Sequence, residues 1–258
     1  MTIQQLLSPA RRAIDDYGMI EENDKIAVGM SGGKDSVTLL HILAALRRFY
    51  PKKFQIVAIT IDLGVKYNQS EVEALKKLNR DLDVEYHIVP TDIYQIIFEE
   101  RKESNPCSLC SKMRRGALNT KAAELGCNKL ALGHHADDLI ETLFLSMFYE
   151  GRLSTFEPKT YLSRSGITVI RPMIYIEEKN IRAFSADKPI LSNPCPADKH
   201  TQRQYVKDLL SKIKTDIPIA KDRIFSAITH PERNHLFDDA ILKYEKEMND
   251  LKNPDTKI

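Results

Sequence analysis

Apolar residues recur along this chain with two periods, and the alternation between them outlines the fold. The first twenty residues, MTIQQLLSPARRAIDDYGMI, place them at helical spacing with charges between, which predicts an amphipathic N-terminal helix. KIAVGM, beginning at Lys25, is a short unbroken apolar run and predicts a buried strand. A helix over Lys34 to Phe49 follows, then a second strand in QIVAITI and a helix over Ser70 to Arg80. VEYHIV predicts a third strand, KLALG from Lys129 a fourth, and Asp137 to Tyr149 another helix with apolar residues three and four apart. Repeated β-then-α units predict an α/β fold, a parallel twisted sheet with helices on both faces. Residues 152–171 predict a β-hairpin or long loop with Arg164, Ser165 and Gly166 at its tip, and the last eighty-odd residues read mostly as helices, interrupted by NPCP at Asn193 to Pro196. No internal repeat or domain boundary stands out. The expectation is one domain over 1–258, with an N-terminal helix at 1–22, an α/β core at 23–190 and a helical part at 191–258.

Composition narrows this only a little. The 258 residues, 42% hydrophobic and 29% charged, suffice for one full α/β core. The N-terminal segment has neither a signal-peptide apolar region nor a spanning length, so a cytoplasmic protein without a membrane partner is expected. A net charge of +2, from 38 basic and 36 acidic residues, neither requires nor excludes nucleic acid. Four cysteines in a reducing compartment point to metal ligands, reactive thiols or buried small hydrophobes rather than disulfides.

The chemistry lies where strands give way to helices. Met30-Ser31-Gly32-Gly33-Lys34-Asp35-Ser36 follows the first strand and opens a helix. Adjacent glycines admit a phosphate close to the backbone, the helix start directs free amides at it, Lys34 adds a full charge, and Ser31 and Ser36 add hydroxyls. It is not a Walker A loop, since Asp35 follows Lys34 where Ser or Thr would stand, nor a G-x-G-x-x-G turn. The string SGGKDS is similar to that of PP-loop enzymes, which cleave ATP between its α and β phosphates. Gly133-His134-His135-Ala136-Asp137-Asp138 repeats the strand-to-helix context, so both loops can face one nucleotide at the carboxyl edge of the sheet. Asp137 and Asp138 suit Mg²⁺, or else complement the helix dipole. His134 is the candidate for nucleotide contact and His135 the structural one. Asp62, ending the second strand, could meet ribose or adenine, and Arg171 could reach a phosphate or cap a loop.

Cys107-Ser108-Leu109-Cys110 is placed in a loop behind Pro106, ahead of a basic helix from Lys112 to Glu124. The spacing alone allows half of a zinc site, a redox pair or part of a cluster site. Cys127 reads as structural and Cys195, between two prolines, as the third candidate ligand. SGGKDS, PCSLCSKMRRGAL, LALGHHADDLIETLFLSMFYEGRL, IRPMIY and NPCPADKHTQRQ together resemble the tRNA 2-thiocytidine synthetase family, from Lys25 to Leu210. The resemblance implies a PP-loop, adenine nucleotide alpha-hydrolase-like fold and the use of ATP and Mg²⁺. It implies a [4Fe-4S] cluster on Cys107, Cys110 and Cys195, and replacement of the 2-oxygen of a tRNA anticodon-loop cytidine by sulfur through an adenylated base. Asp198 stands where many members carry a further cysteine. Lys34, Asp35, Asp137 and Asp138 would be the catalytic residues, and Met30, Ser31, Gly32, Gly33, Lys34, Ser36, Asp62, Gly133, His134 and Arg171 would bind nucleotide. Lys112, Arg114, Arg115 and Arg203 could draw RNA phosphates towards the cluster. The sulfur donor, a cysteine desulfurase or inorganic sulfide, is left open, and a homodimer is expected by the same likeness. Another thiolated base, a structural-zinc nucleotide sensor and a cysteine persulfide relay are the rival readings.

Overall fold

The computed structural model describes residues 1–65, 67–101, 106–192 and 202–233, with 244 and 248. Asp24–Gly29 (β1), Phe54–Asp62 (β2), Glu85–Pro90 (β3), Lys129–Ala131 (β4), Lys159–Leu162 (β5) and Ile167–Ile170 (β6) form one sheet in the order β3-β2-β1-β4-β6-β5. Every pairing is parallel except that of β5 with β6, whose hairpin places β5 antiparallel at the edge. The strand order runs one way from β1 to β3 and the other way from β4, so β1 and β4 flank the switch point where open α/β sheets bind ligands.

Both faces of the sheet are covered. Ala27, Val57, Ile59, Leu130 and Val169 share a core cluster with Ala122 and Cys127, and Leu109, Met113 and Ala117 of the helix Pro106–Glu124 (α4) pack against it. The alternate residues, Ile26, Val28, Ala58, Ala131 and Ile170, are equally buried and belong to the opposite side by the period of two. The helix Lys34–Leu46 (α2) packs on β1 and β2, flanked by Ile3–Asp16 (α1) and Glu178–Ser185 (α6). Leu6, Ala10, Ala13 and Ile14 of α1 are buried, at the spacing that puts them on one helical face. The remaining helices are Gln69–Asp81 (α3), Ala136–Glu150 (α5), Gln202–Asp216 (α7) and Ala220–Thr229 (α8), and Gln95–Glu100 forms one π-helical turn that the sequence does not announce.

The chain divides into two compact units, Met1–Asp208 and Leu209–Ile258, where the sequence reading expects a single domain over 1–258. Another difference concerns α4. It begins at Pro106, so Cys107 and Cys110 lie in its first turn rather than in a loop; proline is well tolerated there because the first helical amides have no intrahelical acceptor. Cys195 and Asp198 lie outside the described residues. No helix among the described residues is long and apolar enough to cross a membrane.

Candidate functional site

The first loop leaves β1 through Met30, which is buried and tied at both ends: its amide donates to Ile59 O at 2.8 Å, and its carbonyl accepts from Thr60 Oγ1 at 2.6 Å. Gly32 then takes φ +80°, a left-handed conformation that favours glycine, and a Cβ there would meet Leu191 at 2.5 Å. Gly33 caps α2 with no side-chain hydrogen bond, so the first amides of α2 keep their donors for an anion. Ser31 Oγ bonds Ser36 Oγ at 3.2 Å, and Ser36 Oγ also donates to Gly33 O at 2.9 Å, closing the turn on itself.

The second loop lies directly against the first. A Cβ on Gly133 would stand 3.1 Å from the backbone of Asp35 and 3.2 Å from Ser36 N, tighter than ordinary contact, so glycine is what lets the two loops touch. His135, buried, caps α5: its Nδ1 accepts from Asp138 N at 3.4 Å and its own amide donates to Asp138 Oδ2 at 3.0 Å. Its Nε2 faces Asp35 Oδ1 at 3.7 Å. This is the structural role expected of it. His134 lies beside Phe156, ring centroids 4.8 Å apart, and its Nδ1 accepts from Arg171 Nε at 3.2 Å. Burial first, then the Arg171 and Arg203 charges, outweigh Asp138 and hold the His134 ring down at about 4, so it is neutral at physiological pH.

Arg171 is spent on the protein itself. It donates to Glu157 O, to Thr160 Oγ1 at 3.3 Å and to His134, and lies over the Phe156 ring. Burial lowers its pKa to about 10, with Glu157 acting against the shift and Arg115 adding to it. It sets His134 in place and anchors the β5 side of the hairpin. Asp62 Oδ1 accepts from Gly64 N at 3.0 Å in the turn after β2. Burial raises the pKa of Tyr67, with a further rise from the charges of Asp62 and Cys110 and an opposing effect from Arg114 and the Leu63 backbone.

The carboxylates are not equivalent. Asp137 Oδ2 accepts the Glu178 amide at 2.7 Å, and Asp138 is shared between the cap and Arg203 Nη1 at 3.3 Å. Asp35 Oδ2 pairs with Lys34 Nζ at 3.0 Å, but its Oδ1 is buried without a hydrogen bond. That orphan oxygen beside a phosphate-type loop fits one ligand of a hard cation better than either Asp137 or Asp138 does. No group of three or more His, Cys, Asp or Glu that could hold a metal occurs among the described residues.

Cys107 is exposed and Cys110 half-buried, three residues apart on one face of the first turn of α4, an arrangement that fits two thiolates on a shared metal centre. No third His, Cys, Asp or Glu completes a metal-binding group with them among the described residues. Cys127 is buried in the core and burial raises its thiol pKa, as suits a small hydrophobe. Several ionic residues of the site carried no sequence signal. Glu178 meets Lys34 at 3.0 Å, and the buried Glu141 meets Arg203 at 2.9 Å and Lys207 at 3.6 Å. Arg203, expected to draw RNA phosphates, is instead paired with Glu141 and Asp138.

A phosphate-type loop and a second Asp-rich loop meeting at the switch point define an α/β nucleotide-binding protein of the PP-loop class. The family model for the PP-loop domain matches residues 2–212. The tRNA-cytidine(32) 2-sulfurtransferase of Geobacter sulfurreducens is 42% identical over 232 residues, 88% of this chain and 90% of the relative. That of Pseudomonas putida (strain GB-1) is 43% identical over 233 residues, 89% of this chain and 84% of the relative. A solved U34-tRNA thiolase, NcsA from Methanococcus maripaludis with its [4Fe-4S] cluster, shares the fold at TM-score 0.71 and 24% identity, over 91% of this chain and 80% of the other. The chain belongs to the PP-loop superfamily and, within it, to the tRNA 2-thiocytidine synthetase family.

Proposed function

We propose that the protein uses ATP to replace the 2-oxygen of a tRNA cytidine with sulfur. The observation that carries this is the junction of the two loops at Gly133, which sets Lys34, Asp35 and the uncapped start of α2 on one side and His134 on the other, at the sheet edge that also carries Asp62. The curated relatives' 2-sulfurtransferase names support the choice of base.

The carbon–oxygen bond at a pyrimidine C2 has a poor leaving group and must be activated first. Attack of the base oxygen on the α-phosphorus breaks the bond to the β-phosphate bridging oxygen and releases pyrophosphate. A sulfur nucleophile then forms the C2–S bond and AMP leaves with the oxygen. Lys34 and the amides of Gly33 and Lys34 would hold the charge that develops on the leaving phosphates. Neutral His134, its Nδ1 occupied by Arg171, has its proton on Nε2 and offers a fixed donor rather than a base. Asp35 Oδ1 would hold Mg²⁺, whose charge offsets that of the phosphates. Cys107 and Cys110, with Cys195, would hold a [4Fe-4S] cluster, which supplies an iron with an open position for sulfide. A cysteine desulfurase or inorganic sulfide is the proposed sulfur source, a homodimer the proposed working unit, and the cytoplasm the proposed location.

The test is pyrophosphate release from ATP by the anaerobically prepared holoprotein, with and without tRNA. Release is expected to depend on tRNA, and Lys34→Met is expected to lower it about a hundredfold. Release that ignores tRNA, or survives that substitution, contradicts the assignment.

A further inference from the structure

We infer that Glu178 is a resident counter-anion of the phosphate loop, a positioning residue that nucleotide phosphates displace from Lys34 onto Lys207. The inference rests on the nucleotide reading of the loop given above and goes beyond it to what controls entry.

Glu178 is the first residue of α6. Its amide is fixed on Asp137 Oδ2 at 2.7 Å, so the residue is tied to the second loop by its backbone and to the first loop by its side chain. One carboxylate oxygen, Oε1, receives three cations: Lys34 Nζ at 3.0 Å, Arg182 Nη2 at 3.0 Å and Lys207 Nζ at 3.7 Å. Lys34 is also held by Asp35 at 3.0 Å. Burial pushes the Glu178 carboxyl up, but the hydrogen bond and charge of Lys34, then Lys207 and Arg182, outweigh it and hold it down at about 2, so it is ionised under any physiological condition. Further along, Lys207 reaches Glu141 at 3.6 Å, and Arg203 joins Glu141 at 2.9 Å to Asp138 at 3.3 Å.

Four cations, Lys34, Arg182, Arg203 and Lys207, thus face four carboxylates, Asp35, Asp138, Glu141 and Glu178, and the loop lysine already has two anionic partners. A triphosphate arriving at Lys34 meets an ionised carboxylate 3.0 Å from the ammonium it needs, and like charges so close in a partly buried site repel. Lys207 offers the way out. It stands 3.7 Å from the same oxygen, and Arg182 stays with Glu178 as a neighbour four residues on in the same helix, so the carboxylate can give up Lys34 and remain paired. Lys207 then shifts from Glu141 towards Glu178, and Glu141 keeps Arg203. Occupancy of the loop is thereby felt at the start of α7, the helix that follows Cys195 in the chain.

Equilibrium binding of α,β-methylene-ATP with Mg²⁺ to the holoprotein tests this without any turnover. Glu178→Gln, which keeps a hydrogen-bond acceptor for Lys34 and removes the charge, is expected to bind the analogue about tenfold more tightly, with the gain shrinking as salt rises. A supporting glutamate that merely shapes the site predicts the opposite, weaker binding. Lys207→Met is expected to weaken binding several-fold, Lys207→Arg to restore it, and the Lys207→Met effect to vanish in the Glu178→Gln background. Folded Glu178→Gln that binds no tighter than the natural chain overturns the inference. So does Lys207→Met binding as tightly as the natural chain, a result that stands even if Glu178→Gln does not fold. A natural chain that fails to bind the analogue removes the nucleotide reading itself, whereas binding that ignores both substitutions removes only the role of Glu178.

Discussion

Gly133 has no side chain, and that absence is what joins the two halves of the site. Alanine there would press its methyl to 3.1 Å from the Asp35 carbonyl, and backbone cannot yield as a side-chain tip can. Gly133→Ala is expected to cost about 1–3 kcal/mol in urea unfolding and to weaken ATP binding at the same time, because relief of the clash moves the α2 start. Loss of stability with nucleotide affinity unchanged would disconnect the two loops. The histidines make a second prediction. His134 and His41 are both held down at about 4, chiefly by burial, against an ordinary 6.5. Between those values the unfolded chain takes up protons that the folded chain refuses, so stability falls as pH drops from about 6.5 to 4. Glu178, held down at about 2, loses its contribution only at lower pH, below the ordinary carboxylate value. His134→Asn is expected to flatten the slope between pH 6.5 and 4 in part, leaving the share due to His41; an unchanged slope would mean that the folded chain takes up the proton at His134 as readily as the unfolded one. At this scale the glycines, Lys34 and the two histidines were legible because their neighbours in sequence define their context. Glu178 and Lys207 were not, since each finds its partners on another element and an isolated charge on a helix has no signature.

α4 shows where element-scale reading stops. The sequence places the C-x-x-C in a loop because proline precedes it, yet Pro106 is the first helical residue. The change matters to the chemistry. A helix fixes Cys107 and Cys110 on one face, while Leu109 and Met113 pack against the core beneath the sheet, so the pair is held rather than free to search for a ligand. Iron and acid-labile sulfide measured on anaerobic preparations should approach about four of each per chain. They should be lost in Cys107→Ala, Cys110→Ala and Cys195→Ala, and kept in Cys127→Ala, which instead loses stability from the core. Zinc in place of iron, or iron that survives Cys107→Ala and Cys110→Ala, would leave ATP-dependent activation standing and move a cysteine persulfide to the front. The antiparallel β5 and β6 lie where the sequence expects a hairpin tipped by Arg164, Ser165 and Gly166, whereas the π-helical turn over Gln95–Glu100 had no legible cause, because it is set by what packs around it and not by local period.

On the scale of the whole molecule the parallel sheet was readable from four apolar runs separated by helical stretches, since strands covered on both faces have no polar alternation to hide them. Strand order was not, yet it decides the function: only when β1 and β4 become neighbours at the switch point do the two loops converge. The division after Asp208 was equally invisible, because it falls inside a continuous helix, α7. Topology thus assembles the reaction, and mass spectrometry of nucleosides reads its product. The holoprotein, incubated anaerobically with ATP, Mg²⁺, sulfide and tRNA lacking sulfur modifications, is expected to yield 2-thiocytidine in step with pyrophosphate. Pyrophosphate without thiolated nucleoside, or sulfur appearing on uridine alone, would contradict it.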